Sequence, residues 1–178
     1  MSSLWHSRGM RLATTLLTVL MMVVIFLFSA ETAEESDLTS GFFARILIRV
    51  FCPGFNELNE AEQQVVYDQY QTVIRKCAHF TEYLLLGLLL RLCYMSWFGD
   101  RGAPGILSWV TGALYAGTDE LHQVLIDGRS GQVWDVLIDC GGVFIGVLIA
   151  IPVIRMINNA FKRKEDRKNG DEHRACPS

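Results

Sequence analysis

Long apolar runs separated by short polar breaks organise the chain. A helix needs roughly 20 predominantly apolar residues to cross the hydrocarbon core of a bilayer. Four stretches meet that length: Leu12 to Ala30, Cys77 to Phe98, Gly105 to Ile126 and Val133 to Ile154. The first is free of charge. The second carries Arg91, the third turns polar at Asp119, and the fourth holds Asp135 and Asp139. Gly99-Asp100-Arg101-Gly102-Ala103-Pro104 joins the second to the third, and Asp127-Gly128-Arg129-Ser130-Gly131 joins the third to the fourth. Glycine and proline mark both as tight connections. The pattern predicts an all-α polytopic membrane protein, a four-transmembrane-helix bundle with short outer interfacial helices between spans one and two. Its segments are a cytoplasmic N-terminus (1–11), spans at 12–30, 77–98, 105–126 and 133–154, an extracytoplasmic loop with amphipathic helices (31–76) and a cytoplasmic basic tail (155–178).

The first stretch follows Arg8 and Arg11 and has small residues near Ala30 and Ala33, as a cleaved signal would. Its apolar run is longer than a usual signal core, and Phe28-Ser29-Ala30 is a poor cleavage site, so it reads as a retained anchor. Lysine and arginine set the orientation. Arg8 and Arg11 precede span one, Arg91 and Arg101 flank the second connection, and Arg155, Lys162, Arg163, Lys164, Arg167 and Lys168 follow span four. Four spans put all three groups on one side, so both termini are expected in the cytoplasm, with the 31–76 region and Arg129 outside. Trp97, Trp109 and Trp134 fall near span boundaries, where an aromatic belt would lie.

Two outer segments have helical periodicity. Phe42, Phe43, Ile46, Leu47, Val50 and Phe51 share a face, with Arg45 and Arg49 four apart, a pattern that suits a helix lying in the headgroup plane. A second helix is expected from the N-cap Asn59, with Glu60 and Glu62 in its first turn, running straight into span two. The charged tail after Phe161 is expected to be disordered.

Composition narrows the partners. The chain is 51% hydrophobic and 20% charged, a balance too apolar for an ordinary soluble domain. Its net charge of −3 and the lack of a basic patch interleaved with aromatics argue against nucleic acid. The five cysteines have no CxxC spacing, and the three inside apolar stretches read as small packing residues.

The ionisable residues inside the spans gather at one end. His79, Glu82 and Tyr83 follow the i, i+3, i+4 spacing that shares a helix face. Asp119, His122 and Gln123 repeat it on span three, with Glu120 turned about 100° away. Asp135 and Asp139 lie one turn apart on span four. Asp119 and Asp139 are equidistant in sequence from Arg129, so an antiparallel hairpin would place them opposite each other, on the order of 12 Å below the turn. Two unpaired carboxylates at that depth call for a cation, a proton or a metal between them. Gly142 and Gly146 share the aspartate stripe, Gly112 and Ala116 share that of Asp119, and Gly87 lines up with His79 and Tyr83. Small residues let helices approach closely in lipid, which turns these stripes inward.

Histidines and carboxylates at such a site can serve as general acid, general base or metal ligand. The candidate catalytic groups are His79, Glu82, Asp119, Glu120, His122 and Asp139. A divalent metal is a candidate cofactor: it would draw on His79, Asp119 and His122, with Glu82 as a further ligand and Glu120 or Asp139 as base, although the HExxH pattern of zincins is absent. Lys76, Tyr83, Gln123, Arg129 and Asp135 are candidate binding residues. Arg75, Lys76 and Arg129 would rim the mouth, where arginine suits phosphate or carboxylate. The plainer alternatives are snorkelling for Arg75 and Lys76 and an ion pair with an aspartate for Arg129.

Two blocks resemble the VanZ-like family of bacterial membrane proteins. One is Arg75-Lys76-Cys77-Ala78-His79-Phe80-Thr81-Glu82-Tyr83 with Gly87. The other runs Tyr115-Ala116-Gly117-Thr118-Asp119-Glu120-Leu121-His122-Gln123, then Asp127-Gly128-Arg129-Ser130-Gly131, then Asp135-Val136-Leu137-Ile138-Asp139 and Gly142. The similar core covers about 75–150, with Asp127 where a proline is expected. The resemblance implies a multi-pass protein of the bacterial cell membrane. It also implies an association with resistance to teicoplanin, a lipoglycopeptide that binds cell-wall precursor outside the cell; it carries no assigned reaction. Two functions follow as expectations. One is binding or remodelling of an anionic lipid headgroup or lipid-linked wall precursor, with the glycopeptide as an indirect partner. The other is an intramembrane hydrolase or transferase acting on a lipid headgroup. A structural polar core without chemistry is the third alternative. An ion pathway fits less well, because the cytoplasmic halves of spans two to four carry no acidic chain.

Overall fold

The structure, a computed structural model, describes residues 5, 7–99, 103–126 and 133–175. Of the two connections that flank the third apolar stretch, the middle of the first (100–102, with Arg101) and all of the second (127–132, with Arg129) lie outside the described residues. Among the described residues there are five α-helices and no strand: α1 (Arg8–Ser29), α2 (Ala33–Phe51), α3 (Glu60–Phe98), α4 (Pro104–Gln123) and α5 (Val133–Ala175), with a 3-10 turn at Phe55–Glu57. Local chemistry sets several ends. Ser7 Oγ accepts from the Met10 amide at the start of α1. Asn59 Oδ1 accepts from the Glu62 amide while the Glu62 carboxylate accepts from the Asn59 amide, a reciprocal cap that starts α3. Pro104 occupies the first turn of α4, where its missing N–H costs nothing. Gly99, at φ 65°, ends α3 in a conformation that favours glycine.

The largest helix–helix surface lies between α3 and α5, which run parallel. Their backbones nearly touch. A Cβ on Gly142 would stand 2.5 Å from the Phe80 carbonyl oxygen, one on Gly146 would collide with the Leu84 carbonyl, and one on Gly87 would collide with the backbone of Val143. Val143 in turn fills the space against Gly112 of α4. One apolar cluster joins Ile25, Tyr83, Leu86, Leu90, Ala116, Val143 and Val147. A second, at the other end, joins Trp5, Met95, Ala150 and Ile154. Polar bonds tie α1 along the bundle: Arg11 Nε donates to the Ser96 carbonyl, Thr14 and Ser96 hydroxyls meet at 3.0 Å, and Tyr115 OH donates to the Met22 carbonyl at 2.6 Å.

Two helices, Arg8–Ser29 and the Val133–Lys164 part of α5, are long and apolar enough to cross a membrane among the described residues. The polar residues of α3 and α4 lower their hydropathy, yet Tyr83, Asp119, Glu120 and Gln123 are buried in the bundle rather than presented on its outside.

Two sequence expectations change. The charged tail is not an irregular segment, because α5 stays helical to Ala175. The second outer helix does run straight into span two, as the first part of the 39-residue α3. But α2 does not run across α3, as a helix flat in the headgroup plane would. It packs antiparallel along the outer half of α3, with Ser40, Gly41, Ala44 and Ile48 buried and Gly41 against Tyr67. Gly41 permits that approach, since a Cβ there would collide with the Tyr67 hydroxyl. The Phe42, Phe43, Ile46, Val50 and Phe51 side chains remain exposed on the opposite face.

Overpacking of a close helix crossing costs about 1–3 kcal/mol. Gly146→Leu is therefore expected to lower the thermal midpoint of the purified protein in detergent by several degrees, while Gly141→Ala, which meets open space, leaves it unchanged. Equal midpoints for both variants would contradict the backbone contact.

Candidate functional site

The α3–α5 crossing and the Val143–Gly112 contact set three helices at one level, and their polar residues converge at the end nearest Ser29. From α3 come His79, Glu82 and Tyr83. His79 and Glu82 are half-buried, and Tyr83 is fully buried. From α4 come Asp119 (4% exposed), Glu120 and Gln123, all buried, with His122 half-buried. From α5 come Asp139, 1% exposed, and the half-buried Asp135.

Asp139 feels the charges of Asp119, Glu120, Asp135 and Glu82, so carboxylates from three helices face one small volume. Glu82 lies within reach of both Asp119 and Glu31. Tyr83 lies near Asp119, and its buried hydroxyl makes no hydrogen bond among the described residues. The Gln123 amide donates to Asp119 Oδ2 at 3.2 Å. At the surface end, Lys76 Nζ binds Asp135 Oδ1 at 2.6 Å, with both side chains about one-third exposed (35% and 32%). Lys76 thus neutralises the outermost acid.

Other inward atoms lack partners. Asp119 Oδ1, Asp139 Oδ1 and His122 Nδ1 are buried with no hydrogen bond among the described residues. Leaving a buried acceptor unsatisfied costs roughly 1–3 kcal/mol, and more when it is charged. A polar core kept only to hold helices in register satisfies its groups, because partial satisfaction is worse than an apolar core. The inward acceptors instead suit a ligand that brings hydrogen-bond donors.

The candidate residues divide in three, apart from His79, which is half-buried on α3. Glu82, Tyr83, Asp119, Glu120, Gln123, Asp135 and Asp139 come together, and Lys76 joins them through Asp135. Glu120 belongs inside with them, although a helical wheel turns it away from Asp119. His122 packs its ring on Phe26 of α1, with centroids 4.7 Å apart. Arg129 lies outside the described residues. No group of three or more His, Cys, Asp or Glu among the described residues is placed to hold a metal ion, so the set His79, Asp119 and His122 gains no support from its geometry.

Periodicity missed the contributions of α1 and one tyrosine. Tyr115 lies near Asp119 and beside Tyr83, with ring centroids 6.3 Å apart. It stands one turn before Asp119, a spacing that was available in the sequence. Phe26 and Glu31 had no such signal, since they reach the site only through the packing of α1.

These features describe a class, helical proteins with membrane-length apolar helices and a buried acidic cluster between them. The family model described as VanZ/LLP1 matches residues 14–156, and the chain belongs to this family. The match takes in α1 as well as the helices that carry the cluster. No curated protein and no solved structure matches the chain. Family and apolar helices together are consistent with a membrane protein.

Asp139 has like charges on several sides and an unsatisfied oxygen. Asp139→Asn removes the repulsion at nearly constant volume. It is expected to raise stability by on the order of 1 kcal/mol, the gain typical where a site trades stability for function. A lower thermal midpoint for this variant would instead indicate a carboxylate that serves the fold.

Proposed function

We propose that the protein is a four-span protein of the bacterial cell membrane, with both termini in the cytoplasm. Its polar site opens on the outer face and binds a lipid-linked envelope component that has an anionic headgroup. Support for four spans comes from packing: α3 and α4 share the depth of the two membrane-length helices and join them in one apolar cluster. Support for the orientation comes from Arg8, Arg11 and Arg155, which lie at the end opposite the carboxylates.

The observation that carries the binding function is a partly exposed lysine above an interior of buried acids. Lys76 stands at the mouth, paired but partly exposed. Below it, Asp139 and Asp119 offer acceptors without donors among the described residues. A headgroup with a phosphate and with hydroxyl or ammonium donors matches both levels. Its phosphate engages Lys76, while its donors reach Asp119 and Asp139. Tyr83, Gln123 and Asp135 orient those partners. Engagement of such a component at the outer leaflet would connect the protein to teicoplanin tolerance, because that drug binds wall precursor there.

A second function, headgroup hydrolysis or transfer, rests on Glu82, within reach of Asp119, and on the half-buried His79 and His122 of the same two helices. These groups are the general acid and base candidates.

Lipid copurifying with the protein provides the test. Mass spectrometry of wild type is expected to show one phospholipid class enriched over the membrane extract. Lys76→Ala and the Asp119→Asn, Asp139→Asn double variant should each reduce that enrichment at least about tenfold, the loss of about 1.4 kcal/mol. Unchanged enrichment and unchanged teicoplanin susceptibility in both variants would sink the binding function. Conversion of the enriched lipid by wild type but not by His122→Ala would favour the enzymatic one.

A further inference from the structure

A second polar recess lies far from the acidic cluster, between the end of α2, the 3-10 turn and the start of α3. It is a cleft of about 730 Å³. Its polar walls include Arg45 and Arg49 of α2, Asn56 of the turn, and Glu60, Gln64 and Tyr67 of α3. The charge balance is two arginines against a single acid, Glu60.

The arginines stand one turn apart on the same side of α2. Both are exposed, and Arg45 makes only a long bond, 3.4 Å, from Nε to the Gly41 carbonyl among its described contacts. Their remaining guanidinium donors can engage an oxyanion in paired fashion. The helix end contributes little pull of its own, because the Asn59–Glu62 cap already satisfies it. The walls are braced as well. Gln63 Nε2 donates to the Phe55 and Leu58 carbonyls at 3.1 and 3.0 Å, and Gly54 turns the chain at φ 99°. A cleft held open by its own turn spends less on ordering when a ligand enters. Its volume lies in the range of small-molecule sites, larger than a lone ion needs.

Position identifies the source of the ligand. The α3 residues of the cleft, Glu60 to Tyr67, precede the apolar stretch at Cys77 by 10 to 17 residues, or about 15–25 Å along the helix. The headgroup layer extends only about 5–8 Å beyond the hydrocarbon on each side. A helix tilt of about 40°, at the top of the usual range, still leaves the cleft above that layer.

We infer that this cleft binds a small organic oxyanion, a phosphate or a carboxylate, delivered from the aqueous phase outside the membrane and gripped by Arg45 and Arg49. The site is separate from the acidic cluster and does not depend on what that cluster binds.

Calorimetric titration of the full-length protein in neutral detergent tests it. The probes are glycerol 3-phosphate, succinate, inorganic phosphate and dihexanoyl phosphatidylglycerol. Saturable binding of glycerol 3-phosphate or succinate is expected, and whichever binds assigns phosphate or carboxylate. The Arg45→Gln, Arg49→Gln variant should weaken it at least tenfold, Arg45→Lys, Arg49→Lys should retain part of it, and Asp139→Asn should leave it unchanged. The lysine variant preserves charge and guards against a folding defect. Binding of the short-chain lipid alone, of inorganic phosphate alone, or of any probe with equal strength in the glutamine variant would overturn the inference, as would no binding at all.

Discussion

The near-contact of the α3 and α5 backbones is the constraint on which the rest of the bundle depends. Gly87, Gly142 and Gly146 remove the side chains that would otherwise hold two helices 8–10 Å apart. With α3 and α5 pressed together, Val143 projects past α3 and seats against Gly112, which fixes α4. Asp139 is three residues before Gly142, and Tyr83 is four before Gly87, so the same crossing draws them into one layer. The position of Asp119 then follows from the position of α4. A single small-residue seam thereby decides where the carboxylates meet.

That meeting is unfavourable by itself. Asp139 stands among the like charges of Glu82, Asp119, Glu120 and Asp135, and Lys76 balances the outermost of them. Apolar burial along Ile25, Leu86, Leu90 and Val147 holds the helices together against it. The fold therefore stores an electrostatic mismatch at one end and supports it with apolar and glycine packing below. Such mismatches concentrate where a protein meets its ligand.

Much of this was legible in the sequence, and the parts that were not share a cause. Helical spacing identified which residues of α3, α4 and α5 lie on one stripe, and the glycine pair on α5 announced a close approach. Spacing gives the azimuth of residues within a helix but not the partner that the stripe meets. It turned Glu120 about 100° from Asp119, although Glu120 remained a candidate base, and it said nothing of Phe26 or Glu31, whose roles arise from the docking of α1. The same blindness affected α2. Its aromatic face suggested a helix resting on lipid, whereas the short residues Ser40, Gly41 and Ala44 on the other face dock it along α3. The tail failed for another reason: low hydrophobicity argues against a packed core, but a helix that extends one already anchored in the bundle escapes the cost of nucleation.

One feature of α3 has a mechanical corollary. Between Glu60 and Leu86 it contains neither glycine nor proline, and it is a single helix throughout that stretch. A helix without a joint behaves as a beam, and the crossing at Gly87 is its fulcrum. A sideways load on the outer arm, where α2 is attached, is carried along that arm to Glu82 and Tyr83, five and four residues short of the pivot. The outer hairpin is thus geared to the acidic layer by the stiffness of one continuous helix.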